Sequence, residues 1–94
     1  MDESAFEWHE DKAQANLKKH EVGFEEAATI FNDPMIVAMP DVTHSDQELR
    51  YIAIGMSAHG RLLVVVFSEQ NDKTRLISCR KATKTEIKTY ETVK

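Results

Sequence analysis

The sequence predicts an α+β fold: an antiparallel sheet of four to five strands, with two helices ahead of it and one behind. Three observations predict this. Residues 61–69 (RLLVVVFSE) hold six consecutive apolar residues, Leu62 to Phe67. Three of them are β-branched, which suits a pleated surface and crowds a helix turn. Turn-forming segments at 57–60 and 71–73 separate that run from the apolar segments on either side, and tight turns join antiparallel neighbours. Helix-end chemistry brackets the whole: acids open a segment near residue 10, and a Thr-x-x-Glu capping pattern stands at 83–86.

Each element follows in order. Residues 5–8 (AFEW) alternate, with Phe6 and Trp8 on one side and Glu7 on the other, as an edge strand does. A helix is expected from Glu10 to His20, with Glu10 and Asp11 at its start and Lys18, Lys19 and His20 at its end, complementing the helix dipole. Its apolar stripe is thin, Ala13 and Leu17. Lys12, Asn16, Lys19 and His20 share a polar face beside it. Gly23 interrupts the chain, and 24–31 (FEEAATIF) forms a second helix lined by Phe24, Ala27, Ala28 and Phe31. Asn32-Asp33-Pro34 ends it, because proline disfavours helix at the residue before it.

Residues 35–39 read as a short strand closed by Pro40, and 41–48 (DVTHSDQE) as an exposed polar loop. Residues 49–56 form a hairpin with the apolar run, which an uninterrupted composition marks as a central strand covered on both faces. In 75–80 (RLISCR), strict alternation would turn Leu76, Ser78 and Arg80 one way and Arg75, Ile77 and Cys79 the other. Thr83 and Glu86 cap a final helix running to about Thr92, with Ile87 and Tyr90 toward the sheet.

A chain of 94 residues suits one domain with a small core. No apolar stretch is long enough to span a bilayer and the acidic N-terminus is unlike a signal peptide. A lone cysteine, Cys79, points to a reducing compartment and reads as a small hydrophobe. The expected location is the cytoplasm. The net charge of −4 argues against a generic nucleic-acid binder, and no helix-turn-helix pattern supports a stand-alone DNA-binding protein. Charge is unevenly spread, however. Residues 1–50 carry 12 acids and 4 bases, and residues 51–94 carry 4 acids and 8 bases.

His9, His20, His44 and His59 match no zinc spacing, and no phosphate loop or nucleophile elbow is present. No metal or cofactor is expected. What remains is a basic set: Lys12, Asn16, Lys19 and His20 on the first helix, with Arg50, Arg61, Arg75, Arg80, Lys81 and Lys84 on or beside strands. Metal-free RNA cleavage needs a base for the 2′-hydroxyl, an acid for the leaving oxygen, and fixed cations for the charged phosphorane. These residue types can fill those roles. Equally, His20 suits a helix terminus, Arg80 a structural ion pair, and Lys12 and Lys19 a solvated face.

The stretch FEWHEDKAQANLKKHEVGFEEAATIFNDP closely resembles the opening of BrnT-type toxins, whose pattern is FEWDxxKAxxNxxKHxVxFEEAxxxFxDP. ELRYIAIG, GRLLVVVFSE and RLISCRKATKTEIKTYE are similar to the same family's strands and last helix. The resemblance implies a RelE-like fold and a ribonuclease that arrests translation, acting on free or ribosome-associated mRNA. It also implies a BrnA-type antitoxin with a ribbon-helix-helix part, through which alone the complex would touch operator DNA and repress its own operon. By position, Lys12, Asn16, Lys19 and His20 match KAxxNxxKH, Arg61 the GR before the central strand, Arg80 and Lys81 the RKAT motif, and Glu86 and Tyr90 the ExxxY of the last helix. The expected catalytic set is His20, Arg80, Lys12 and Arg61; the expected RNA-binding set is Lys19, Lys81, Lys84, Asn16 and Tyr90. Two departures stand out: Gly23 replaces a common serine cap, and the tail lacks the arginine-rich character of relatives. The alternative is a weakly catalytic or non-catalytic antitoxin-binding module that acts as a transcriptional co-regulator.

Overall fold

The computed structural model describes residues 5–42 and 49–92. Its elements are β1 (Phe6–Glu7), α1 (Glu10–His20), α2 (Phe24–Ala28), a 3-10 turn (Thr29–Asn32), β2 (Val37–Pro40), β3 (Arg50–Met56), β4 (Leu62–Gln70), β5 (Lys73–Lys81) and α3 (Lys84–Thr92). The sheet order is β1-β5-β4-β3-β2, so the apolar run is central. β2 to β5 are antiparallel neighbours, whereas β1 adds to β5 in parallel, through Phe6 opposite Thr74 and Glu7 opposite Arg75. The sheet is therefore mixed. A parallel edge is possible because the whole α1–α2–β2–β3–β4 segment intervenes between β1 and β5, more than long enough for a crossover.

Phe24, Ala27, Ala28 and Ile30 pack on the face of the sheet that carries Ala53, Leu63, Val65 and Phe67. Phe6 and Trp8 close that core against Phe31 and Phe24. Among the described residues the opposite face is covered by α3, whose Tyr90 meets Ile54 and Val64. That helix is too short to reach along the whole strand, so Val66 stays half-buried and the expected two-sided covering of β4 is incomplete. Gly55 lies where a side chain would be crowded: a Cβ there would stand 3.0 Å from the Ile30 Cβ.

Several sequence expectations are corrected. Residues 24–31 are not one helix; after Ala28 the chain tightens to 3-10, with the Thr29 hydroxyl donating to the Glu26 carbonyl at 2.6 Å. This rotates Ile30 into the core and leaves Phe31 half-buried. Alternation along β5 fails too. The register with β4 shifts between Val66 and Phe67, with Ser78 opposite Val66 but Leu76 opposite Phe67. Ile77 is the extra residue, and a bulge of one residue reverses the facing of everything beyond it. Leu76 and Cys79 consequently lie in the same core. Leu17 is 53% exposed and contributes no core stripe to α1. Of the expected exposed loop, Asp41 is buried, its N–H donating to the Arg50 carbonyl at 2.8 Å, and residues 43–48, His44 included, lie outside the described residues.

The turns follow residue chemistry. Asn71 and Asp72 both take positive φ, 52° and 64°, as a two-residue hairpin turn requires, and Asn and Asp tolerate it. Gly60, at φ 80°, closes the β3–β4 turn, with its N–H on the Ser57 carbonyl at 3.0 Å.

Candidate functional site

The site begins with a buried amide. Asn16, 8% exposed, faces the outer edge of β5 beyond the end of β1. Its Oδ1 accepts the Cys79 N–H at 3.0 Å, and its Nδ2 donates to the carbonyls of Cys79 (2.9 Å) and Val22 (3.0 Å). The side-chain amide thus stands in for a neighbouring strand, satisfying backbone groups that β1 is too short to reach. Asn16, which its motif position suggested as an RNA contact, is buried here and bolts α1 to β5. That bolt has a consequence for the surface. One turn after Asn16 comes His20, and one residue after Cys79 comes Arg80.

Lys19, His20, Glu21, Arg80, Lys81 and Thr83 line a shallow depression of about 460 Å³. α1 supplies the first two from its last turn, and Glu21 closes the helix in a left-handed conformation with its N–H on the Leu17 carbonyl at 2.9 Å. β5 supplies Arg80 and Lys81 from its last two residues. Three cationic side chains and one imidazole therefore converge on one concave surface.

Arg61 and Arg80 are both held by carboxylates, in different ways. Arg80 meets Glu86 end-on, Nη1 to Oε1 at 2.7 Å and Nη2 to Oε2 at 2.8 Å. Glu86 also accepts the Thr83 N–H at 2.8 Å, while the Thr83 hydroxyl accepts the Glu86 N–H at 3.3 Å, completing the capping box of α3. The hydrogen bond from Arg80, followed by weaker help from Thr83, holds the Glu86 carboxyl down to about 2 against burial, and Glu86 raises Arg80 in turn. Arg61 instead gives Glu26 its Nε edge, with Nε to Oε2 at 2.9 Å and Nη2 to Oε1. Its Nη2 also donates to the Glu21 carbonyl at 3.2 Å, and the Ser57 hydroxyl donates to Glu26 at 2.7 Å. The Arg61 hydrogen bond holds Glu26 to about 2.

Arg61 does not line the depression; it braces Glu21, the residue after His20, from behind. Lys12 is exposed on α1, two turns before Lys19, and Lys84 is exposed at the start of α3; neither lines the depression. Tyr90 is 7% exposed and packs under α3, its hydroxyl donating to Asp33 at 2.6 Å. That bond, with burial, pushes the phenol up to about 12. Tyr90, expected among the RNA contacts, is thus a packing residue in this structure. Cys79 is buried, and desolvation pushes its thiol up to about 11, which suits the core and not nucleophilic attack.

Sequence reasoning overlooked Glu26 and Glu86 as partners of the two arginines. For Glu86 a signal existed, since the capping box places its carboxylate at the helix start beside the end of β5. Glu26 is 35 residues from Arg61, and no local pattern joins them. Among the described residues no group of three or more His, Cys, Asp or Glu could hold a metal ion, and no helix is long and apolar enough to cross a membrane.

Comparison with known proteins agrees with the motif resemblance. Residues 8–86 match the family of the ribonuclease toxin, BrnT, of type II toxin-antitoxin systems. Among solved structures, the crystal structure of the Brucella abortus ribonuclease toxin, BrnT, is similar at a TM-score of 0.60 and 26% identity, covering 82% of this chain and 94% of that one. No match was found among curated proteins.

Proposed function

The chain belongs to the BrnT family of ribonuclease toxins of type II toxin-antitoxin systems, and from that premise we propose that it cleaves RNA without a metal at the depression between α1 and β5. The observation that carries the proposal is the convergence of His20, Lys19, Arg80 and Lys81 on one concave surface. A base takes the proton of a ribose 2′-hydroxyl, and that oxygen bonds to the adjacent phosphorus. The bond to the 5′-oxygen breaks and the leaving oxygen takes a proton, giving a cyclic phosphate and a 5′-hydroxyl. His20 serves as the base or the acid, and Arg80, Lys19 and Lys81 stabilise the charge on the phosphorane. Lys12 and Lys84 extend the basic surface to either side for flanking phosphates. Arg61 acts through Glu21, as a support for the loop that carries His20.

The target is cellular mRNA, so the site of action is the cytoplasm. The antitoxin is a BrnA-type protein with a ribbon-helix-helix part, and autoregulation runs through that partner's DNA contact. An acidic first half of the chain favours a basic partner segment. In single-turnover assays on a single-stranded RNA, with and without ribosomes, His20→Ala should reduce cleavage by about 100-fold or more, with the fold retained by circular dichroism. A folded variant that cleaves like the parent removes His20 from the mechanism.

One observation favours the non-catalytic alternative: Arg61 and Arg80 are both neutralised by carboxylates. Expression of the chain alone in bacteria separates the two. Growth arrest with RNA decay marks the enzyme, and harmless expression marks the binding module.

A further inference from the structure

The two arginines differ in what their carboxylates leave over. A guanidinium has five N–H donors, and its Nε–Nη2 edge presents two parallel ones that match two oxygens of a phosphate. Arg61 has spent that edge on Glu26, and its Nη2 serves Glu21 as well. Arg80 has not. Glu86 takes one hydrogen each from Nη1 and Nη2, and the Lys81 carbonyl takes the other from Nη1 at 3.3 Å. The Nε–H and the second Nη2 hydrogen have no partner among the described residues. The side chain is 41% exposed and lines the depression.

We propose that Glu86 is a positioning residue for RNA cleavage: it grips the end of the Arg80 guanidinium so that the Nε–Nη2 edge is held ready for the scissile phosphate. This rests on the ribonuclease reading above. The grip is stiff because Glu86 is itself fixed at both ends, in the first turn of α3 and by the Thr83 N–H. An arginine free to swing loses rotamer entropy when it closes on the phosphorane, whereas one already clamped does not. The same contact that caps a helix thus presets a cation. A competing view is that Glu86 blocks Arg80 and must be displaced by RNA; it predicts the opposite sign.

The test is a cycle on the full chain: wild type, Glu86→Gln, Arg80→Lys and the double variant, in single-turnover cleavage of a short labelled RNA with ribosomes present. Glu86→Gln keeps an oxygen for Thr83 but loses the end-on grip. Its rate at saturating RNA should fall about 100-fold, the scale of a misplaced catalytic group. Arg80→Lys keeps the charge and loses the fork, and should fall similarly. The double variant should be no slower than Arg80→Lys alone, since Glu86 acts only through Arg80. An unchanged or faster Glu86→Gln, or losses that multiply in the double variant, overturns the assignment while leaving the ribonuclease reading intact. A wild type inert on RNA overturns that reading and this assignment with it. If Glu86→Gln does not fold, Glu86→Asp, which keeps the charge but shortens the reach, takes its place in the cycle: a loss that does not add to that of Arg80→Lys supports the assignment, and an unchanged rate or multiplying losses overturn it.

Discussion

Asn16 shows how much one side chain can carry when it replaces a strand. Asn16→Ala would leave the Cys79 N–H and the Val22 and Cys79 carbonyls without their side-chain partner in a buried place. The expected destabilisation is about 3 kcal/mol, read from urea unfolding. A loss below about 0.5 kcal/mol would mean that water or a shifted α1 satisfies those groups instead. The carboxylates make a second prediction at this scale. Glu26 and Glu86 are held from an ordinary 4.5 down to about 2, chiefly by hydrogen bonds from Arg61 and Arg80. A folded-state pKa below the unfolded one means the native state binds fewer protons. Stability from these groups is therefore complete above pH 4.5 and lost as pH falls toward 2. Urea midpoints measured across that window should decline, and the decline should be shallower in Glu86→Gln. Equal slopes in the two proteins would show that the Arg80–Glu86 pair is not the source.

Among the elements, α3 and β3 are the sensitive ones. α3 is short, packs on the second sheet face, and starts on a capping box. Thr83→Ala removes the hydroxyl half of that box and should cost about 1 kcal/mol of stability, measured by thermal unfolding. β3 passes so close to the 3-10 turn that Gly55→Ala must push Ile30 or the strand aside. The expected loss is about 2 kcal/mol; a neutral result would show that the 3-10 turn yields easily. The bulge at Ile77 belongs to this scale as well. It puts both Leu76 and Cys79 into the core, and so turns Arg80 away from it toward the first turn of α3.

At the scale of the molecule, a net charge of −4 leaves only a local basic surface for RNA. If Lys19, Arg80 and Lys81 are the phosphate contacts, the affinity for single-stranded RNA should fall with log salt at a slope of about −2. A slope of about −3.5, the value for five contacts, would bring Lys12 and Lys84 into the footprint. The element order, the central strand and the capping of the last helix were all readable from apolar periodicity and end chemistry, which act over a few residues. Family membership was readable as well, because motifs recur along nearly the whole chain. The site was legible only as a pool of candidates. His20, Lys19, Arg80 and Lys81 do meet, but Asn16 and Tyr90 carry the same motif credentials and are buried.

What the sequence alone determined, then, is the set of local structures and the stock of cations and imidazole available to the site. Which of them share a surface was decided by the tertiary structure, through a hydrogen bond from the Asn16 side-chain amide to a residue 63 positions away, ion pairs with Glu26 and Glu86, and a one-residue bulge. Such contacts depend on strand register and helix docking, and no short window of sequence contains both partners.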